Sequence, residues 1–294
     1  MRGGAARDVD VVIPQGSSLT AAAAVLEKAG AIGSSRTFLT HAKLFGPHGA
    51  VKPGEYRIAK GMGAGAILKL LQSGRVIQRF VAVPEGMPSI LVYERLAATP
   101  LLTGPVAVPR EGSVLPDNYA YVRGEARGAV LGRMQKAMQT AIANAWKART
   151  PASAVTTPEA AIVLASIVEK ETGVASERRM VAAVYSNRLK RGMPLQADPT
   201  VIYPVTHGKP IGRHILRSEL DSDSPYNTYR HVGLPPGPIT NPGKASIVAV
   251  LDPAPSNALY FVAKGDGSSV FADTLQQHNA NVAKWRAYRA ATGK

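Results

Sequence analysis

Cysteine is absent from the 294 residues. That excludes disulfides, thiolate nucleophiles and cysteine metal sites, without fixing the compartment. Phe and Trp are scarce: five and two leave little for stacking on bases, and Lys and Arg are spread thinly, so nucleic acid is not the expected partner. Acidic residues are few, 20 against 35 Lys and Arg, and the resulting charge of +15 calls for an anionic partner surface such as acidic lipid headgroups or a wall polymer bearing carboxylates. No apolar run reaches the roughly 18–20 residues that span a bilayer, and the opening MRGGAARDVD lacks the apolar core of a signal peptide. As given, the chain reads as soluble. Gly-x-Ser-x-Gly, P-loop and dinucleotide-binding motifs are missing, and none of the six His stands at metal-ligand spacing with a partner, so neither a catalytic metal nor a cofactor is expected.

What is present is an ordinary globular balance, 45% hydrophobic and 19% charged, in a length that suits two domains. Val9 to Ile13 is a β-branched strand closed by Pro14-Gln15-Gly16. Ser17 or Ser18 can cap a helix in which Leu19, Ala22, Ala23, Leu26 and Ala29 recur at helical spacing before Gly30. A second helix over Ser35 to Leu44, a strand over Gly54 to Ile58, a helix from Ala64 to Leu71 stopped by Gly74, and a strand from Val76 to Val83 complete a small unit. Its β-helix-helix-β opening resembles a LysM-like glycan-binding module, a pattern that a generic small α+β domain would share.

Pro84-Glu85-Gly86 and Arg110-Glu111-Gly112 read as turns around a helix from Ile90 to Ala98 and mark the seam. Leu115 to Tyr119 begins another turn, Ala129 to Arg149 is a long helix, and Thr150-Pro151-Ala152-Ser153 breaks the chain. The expected fold class is α+β: a small module over residues 1–83, then a larger mixed domain over 84–294 in which 84–152 connect and 153–294 form the core.

The most informative segment runs from Ile162 to Tyr203. Thr157-Pro158-Glu159 is a helix start, with a hydroxyl cap, proline at the first helical position and an acid in the first turn. Leu164, Ile167, Val168 and Glu171 then fall at i, i+3, i+4 and i+7, which puts Glu171 on the apolar, inward face. Glu169 points elsewhere, toward a smaller and more polar side open to solvent. Desolvation and the negative helix end both disfavour the Glu171 anion, so its pKa should rise, as a general acid requires. A solvated helix-end acid, or one paired with Lys170, Arg178 or Arg179, would explain the same position. Ser176 is expected to cap a second helix with Met180, Val181, Val184 and Tyr185 inward, and Asn187, Arg188, Gln196 and Asp198 cluster at its end.

Farther on, Gly233 to Gly243 is too rich in Pro and Gly for a helix or central strand. With Tyr226, Asn227 and Tyr229 it could wall a sugar groove, or merely cover the core. A helix from Asn241-Pro242 to Leu251 and a hairpin pairing Leu259 to Val262 with Val270 to Phe271 follow.

The ordered set Leu164 to Thr172, Ala175-Ser176-Glu177-Arg178, Asn187-Arg188-Leu189, Leu195 to Tyr203, Tyr226-Asn227-Thr228-Tyr229 and Gly233 to Ile239 resembles the YceG-like, or MltG-type, endolytic murein transglycosylases. The likeness covers nearly the whole chain, Pro84-Glu85-Gly86 and Pro116-Asp117-Asn118-Tyr119 included. It implies internal cleavage of peptidoglycan strands between MurNAc and GlcNAc with a 1,6-anhydro end, and places the catalytic glutamate in Glu169-Lys170-Glu171-Thr172. Helical phase and the position before Thr172 favour Glu171, with Glu169 as runner-up. By motif position Asn187, Gln196, Asp198, Tyr203, Asn227 and Tyr229 would bind substrate. The resemblance further implies peptidoglycan synthases as candidate partners and an extracytoplasmic location, the parent being held in the bacterial inner membrane by one N-terminal helix that is absent here. A water-using muramidase with Asp198 as second carboxylate, and a noncatalytic wall-binding module, are the alternatives.

Overall fold

A computed structural model describes residues 5–46 and 49–292. The chain divides into two units, one of residues 1–81, 100–103 and 120–126, the other of residues 82–99, 104–119 and 127–294. Its class is α+β, and among the described residues the strands form two-stranded pairs.

In the smaller unit β1 (Val9–Ile13) lies antiparallel to β2 (Gly54–Ile58), Val9 opposite Ile58 and Ile13 opposite Gly54. Between them run α1 (Leu19–Lys28) and α2 (Ser35–Phe45), each capped by a serine: Ser18 Oγ accepts the N–H of Ala21 and Ser34 Oγ that of Thr37. α3 (Ala64–Ser73) stops at Gly74, whose φ of +72° a residue with a Cβ would adopt only at a cost. Ala22, Ala23 and Leu26 of α1, Phe38 of α2 and Ile67, Leu68 and Leu71 of α3 cover Val11, Ile13, Tyr56 and Ile58 in one core. The buried Tyr56 hydroxyl is satisfied by the carbonyls of Lys52, at 2.7 Å, and Leu71. Glu55 is also buried, and Arg79 at 2.6 Å, seconded by Arg123, holds its carboxyl below the usual range.

The strand expected over Val76 to Val83 is shorter, β3 (Arg79–Val83), and pairs with neither β1 nor β2. Its partner is β4 (Asp117–Tyr121), which takes the place of the turn expected at Leu115 to Tyr119. The Tyr119 hydroxyl donates to the Leu115 carbonyl, so the turn signal at Pro116 becomes a bend into a strand.

The larger unit is mainly helical: α4 (Ser89–Ala98), α5 (Arg127–Lys147), α6 (Pro158–Glu171), α7 (Arg178–Lys190), α8 (Asp198–Thr206), α9 (Arg217–Leu220), α10 (Lys244–Leu251), the hairpin β5 (Tyr260–Ala263) with β6 (Ser269–Ala272), and α11 (Leu275–Thr292). α6 is central and packs against α5, α7, α8 and α10. Residues 163–168 are all buried, the mark of a helix surrounded by protein. Its start is as expected, with Thr157 Oγ1 accepting the N–H of Ala160 and proline in the first turn. Its last residue is Glu171, and the C-cap Thr172 is already extended.

A short 3-10 turn (Ala175–Glu177) precedes α7, and Ser176 does not cap it as expected. The chain from Asp198 is also helical, since Pro199 sits in the first turn where a missing N–H costs nothing. Among the described residues no helix is long and apolar enough to cross a membrane.

Candidate active site

Glu171 closes α6 on the face shared with Leu164, Ile167 and Val168, and it is half-buried in the wall of a pocket of about 290 Å³. α7 contributes Tyr185 and Arg188, the turn into α8 contributes Gln196 and Asp198, and Tyr229, Phe261 and His278 complete the wall. Desolvation pushes the Glu171 carboxyl up to about 7, and the negative charge of Asp198 adds to the rise. A hydrogen bond from the Tyr185 hydroxyl and the charge of Arg188 oppose it. The outcome is a carboxylic acid balanced near neutrality, able to give a proton and to take one back. Tyr185→Phe should therefore raise the Glu171 pKa further, by about one unit or roughly 1.4 kcal/mol. An NMR titration of the carboxyl carbon measures this, and an unchanged or lowered value would contradict the role given to the hydroxyl.

Arg188 organises the pocket's other side. It is 9% exposed; Nε donates to the Leu259 carbonyl at 2.7 Å, and Nη1 to the carbonyls of Leu195, at 2.8 Å, and Pro194. Nη1 also reaches Gln196 Oε1 at 3.4 Å, while the guanidinium lies over the Tyr260 ring. His278 stacks on that same ring, 5.1 Å between centroids, and burial followed by the Arg188 charge holds its pKa below the ordinary value. The imidazole is thus mainly neutral at pH 7, and among the described residues its buried Nδ1 has no hydrogen-bond partner. Asp198 Oδ1 accepts from the Tyr229 hydroxyl at 2.6 Å.

Of the residues expected from sequence, Glu171, Gln196, Asp198 and Tyr229 therefore meet in one pocket. The others do not. Glu169 is not open to solvent: its side chain is 6% exposed, with Oε2 accepting the N–H of Gly243 at 2.9 Å and Oε1 3.9 Å from Arg178. Two residues before Glu171, it lies about 200° around the helix. Asn187 donates its amide to the carbonyls of Ser256 and Ala258. Asn227, 1% exposed, donates both amide protons to the carbonyls of Leu220 and Ser222 and accepts the N–H of Tyr229, so three of the four hydrogen bonds its amide can make are taken inside the fold.

Tyr203 faces a different and larger cavity of about 910 Å³, beside Tyr226 and the half-buried Glu111. Burial raises the Glu111 pKa, while its carboxylate oxygen accepts the N–H of Ser89 at 2.9 Å and a contact from Asn241. Tyr203 stands five residues after Asp198, about 140° around α8, and Ile162 in the same wall stands about half a turn from Glu171 around α6. The larger cavity therefore opens on the other side of both helices from the Glu171 carboxyl.

Tyr185, Phe261 and His278 were not among the expected site residues, and Arg188 was expected in the polar cluster at the end of α7 but given no role in binding. A signal for two of them exists: Val181, Val184, Tyr185 and Arg188 fall at i, i+3, i+4 and i+7, so an arginine shares the inward stripe of α7 as Glu171 shares that of α6. Phe261 and His278 carry no such local mark. No group of three His, Asp or Glu placed to hold a metal ion occurs among the described residues.

The YceG-like family matches this chain over residues 11–284. A Bacillus subtilis (strain 168) protein named endolytic murein transglycosylase is 31% identical over 303 residues, covering 92% of this chain and 83% of that protein. A protein of the same name from Streptococcus pneumoniae serotype 2 (strain D39 / NCTC 7466) is 28% identical over 325 residues, 94% of this chain but 58% of its own length. The crystal structure of a yceG-like protein from Listeria monocytogenes superposes with a TM-score of 0.58 at 28% identity, covering 93% of this chain and 98% of the other.

Proposed function

The chain belongs to the YceG-like family, and on that premise we propose that it is an endolytic murein transglycosylase in which a single residue, Glu171, is both acid and base. The observation that carries this is the Glu171 carboxyl held at about 7 in the wall of a pocket. Protonated, Glu171 gives its proton to the glycosidic oxygen between MurNAc and GlcNAc as the bond breaks. As carboxylate it then takes the proton of the C6 hydroxyl of the same MurNAc, whose oxygen closes on the anomeric carbon. The product is a 1,6-anhydro end, and no water is consumed. Asp198, anchored by Tyr229 in the same pocket, places negative charge where positive charge develops on the sugar ring.

Mass spectrometry of the products from purified glycan strands tests this. Anhydro ends are lighter than reducing ends by one water, so reducing ends alone would instead identify a hydrolase that uses Asp198 as second carboxylate.

Residues 1–83 we read as a LysM-like glycan-binding module, supported by the β1-α1-α2-β2 order and the antiparallel pairing of β1 with β2. The +15 charge favours a polymer that carries carboxylates. Such a substrate lies outside the cytoplasm, which fits a parent anchored by one membrane helix and peptidoglycan synthases as the partners that supply strands.

A further inference from the structure

The turn that delivers Gln196 and Asp198 to the Glu171 pocket has unusual backbone geometry. Gln196 has φ +53°, in the left-handed region, where a residue with a Cβ pays about 1–2 kcal/mol. Such a conformation persists only where its surroundings over-determine it. Two fully buried threonines do so here. The Thr228 carbonyl accepts the N–H of Gln196 and Thr228 Oγ1 accepts that of Ala197, both at 3.0 Å. Thr200 Oγ1 donates to the Ala197 carbonyl at 2.6 Å and lies 2.8 Å from Thr228 Oγ1.

Each hydroxyl has one proton. Since Thr200 gives its proton to Ala197, the proton between the two threonines belongs to Thr228, and the network is complete with none to spare. The neighbouring residues extend the bracket: Asn227 Oδ1 holds the N–H of Tyr229, and the Tyr229 hydroxyl holds Asp198.

Resting on the reading of the Glu171 pocket as a murein site, we propose that Thr228 and Thr200 are positioning residues. Their shared hydroxyl network, without touching substrate, holds the Gln196 turn so that Gln196 and Asp198 meet the glycan. Asn227 serves the same bracket by orienting Tyr229, which accounts for an amide buried and hydrogen-bonded within the fold.

The test compares Thr228→Val, which keeps the volume and deletes the hydroxyl, with Thr228→Ser, which keeps the hydroxyl. Steady-state kinetics on glycan strands, thermal melting and the NMR resonance of the Gln196 side-chain amide are measured for both. Thr228→Val should raise KM by about tenfold and shift the amide resonance, whereas Thr228→Ser should stay within about twofold of the unmodified protein. Because Thr228→Val leaves a buried N–H less well satisfied and can fail to fold, Gln196→Gly supplies an independent arm. It relieves the backbone cost, so it should melt at the same or a higher temperature while KM rises.

A Thr228→Val protein with unchanged KM and unshifted amide, a Thr228→Ser protein as impaired as Thr228→Val, or a Gln196→Gly protein with unchanged KM would each overturn the proposal. The amide resonance needs no turnover. An unmodified protein that releases no anhydro product would therefore count against the transglycosylase reading alone, while the resonance still decides the threonine bracket.

Discussion

Glu171→Gln should fold and yet release no detectable anhydro-muropeptides from purified glycan strands. A positioned acid or base contributes about 10²–10⁴ in rate, and here one carboxyl performs both proton transfers, so the loss should reach at least about 10⁴. Glutamine keeps the shape and can still accept from the Tyr185 hydroxyl, but it holds no transferable proton. Glu169→Gln is the control. Its carboxylate is occupied by the N–H of Gly243 and faces away from the pocket, so activity should survive with some loss of stability. Activity retained in Glu171→Gln and lost in Glu169→Gln would reverse the assignment.

The same substitution has a consequence for stability with a definite sign. The folded protein holds Glu171 at about 7, above the ordinary 4.5. Folded protein therefore binds the proton more tightly than unfolded chain across that interval. The stabilisation is fully present below pH 4.5 and is lost as pH rises through 7. The interval from 4.5 to about 7 corresponds to at most about 3 kcal/mol, reduced by whatever solvent the half-buried residue retains. Glu171→Gln carries no such penalty, so between about pH 5 and about pH 8.5 its stability relative to the unmodified protein should rise. Denaturant titrations of both proteins at the two pH values give the comparison, and parallel curves would mean that the carboxyl is not buried as described. A site residue whose removal stabilises the protein is expected where catalysis requires an acid kept out of water.

The second large effect is expected at Arg188. Arg188→Met keeps a long apolar stem but leaves the carbonyls of Leu259, Leu195 and Pro194 without their donor, and Gln196 Oε1 without its contact. Each buried acceptor left unsatisfied costs about 1–3 kcal/mol, with partial relief from water, so a total of about 3–5 kcal/mol is expected. Loss of the guanidinium also removes a charge that lowers the Glu171 pKa, so that pKa should climb above 7. Arg188→Lys should recover the charge without the planar fork, restoring the pKa more completely than the stability. Thermal melting and the carboxyl titration separate these two contributions. A Met variant that melts with the unmodified protein would show that the carbonyls find other partners.

Much of the scaffold is legible in the order of residues alone. The serine pair Ser17-Ser18 and the Thr157-Pro158 pair mark helix starts by chemistry that acts within three residues, and Gly74 marks a stop by its own freedom at positive φ. The phase of Leu164, Ile167 and Val168 places Glu171 inward because side-chain direction in a helix follows from a count of residues. Where counting is not enough, expectations fail in a consistent way. Leu115 to Tyr119 looks like a turn because Pro, Asp and Asn favour one locally, but pairing with β3, a strand far back in the chain, makes it β4.

The polar side chains divide along the same line. Motif order nominates Asn187, Gln196, Asp198, Tyr203, Asn227 and Tyr229 together, and it is hydrogen-bond partners distant in sequence that sort them. Asn187 is consumed by the carbonyls of Ser256 and Ala258, and Tyr203 is turned by the helix that α8 proves to be into a separate cavity. By itself the sequence determined that an acid sits on the inward face at the end of a buried helix, because periodicity and capping are local properties. Only the tertiary structure decided what surrounds that acid. Desolvation, the Tyr185 hydroxyl, and the charges of Asp198 and Arg188 depend on which distant segments pack there, and these together set its proton affinity near neutrality.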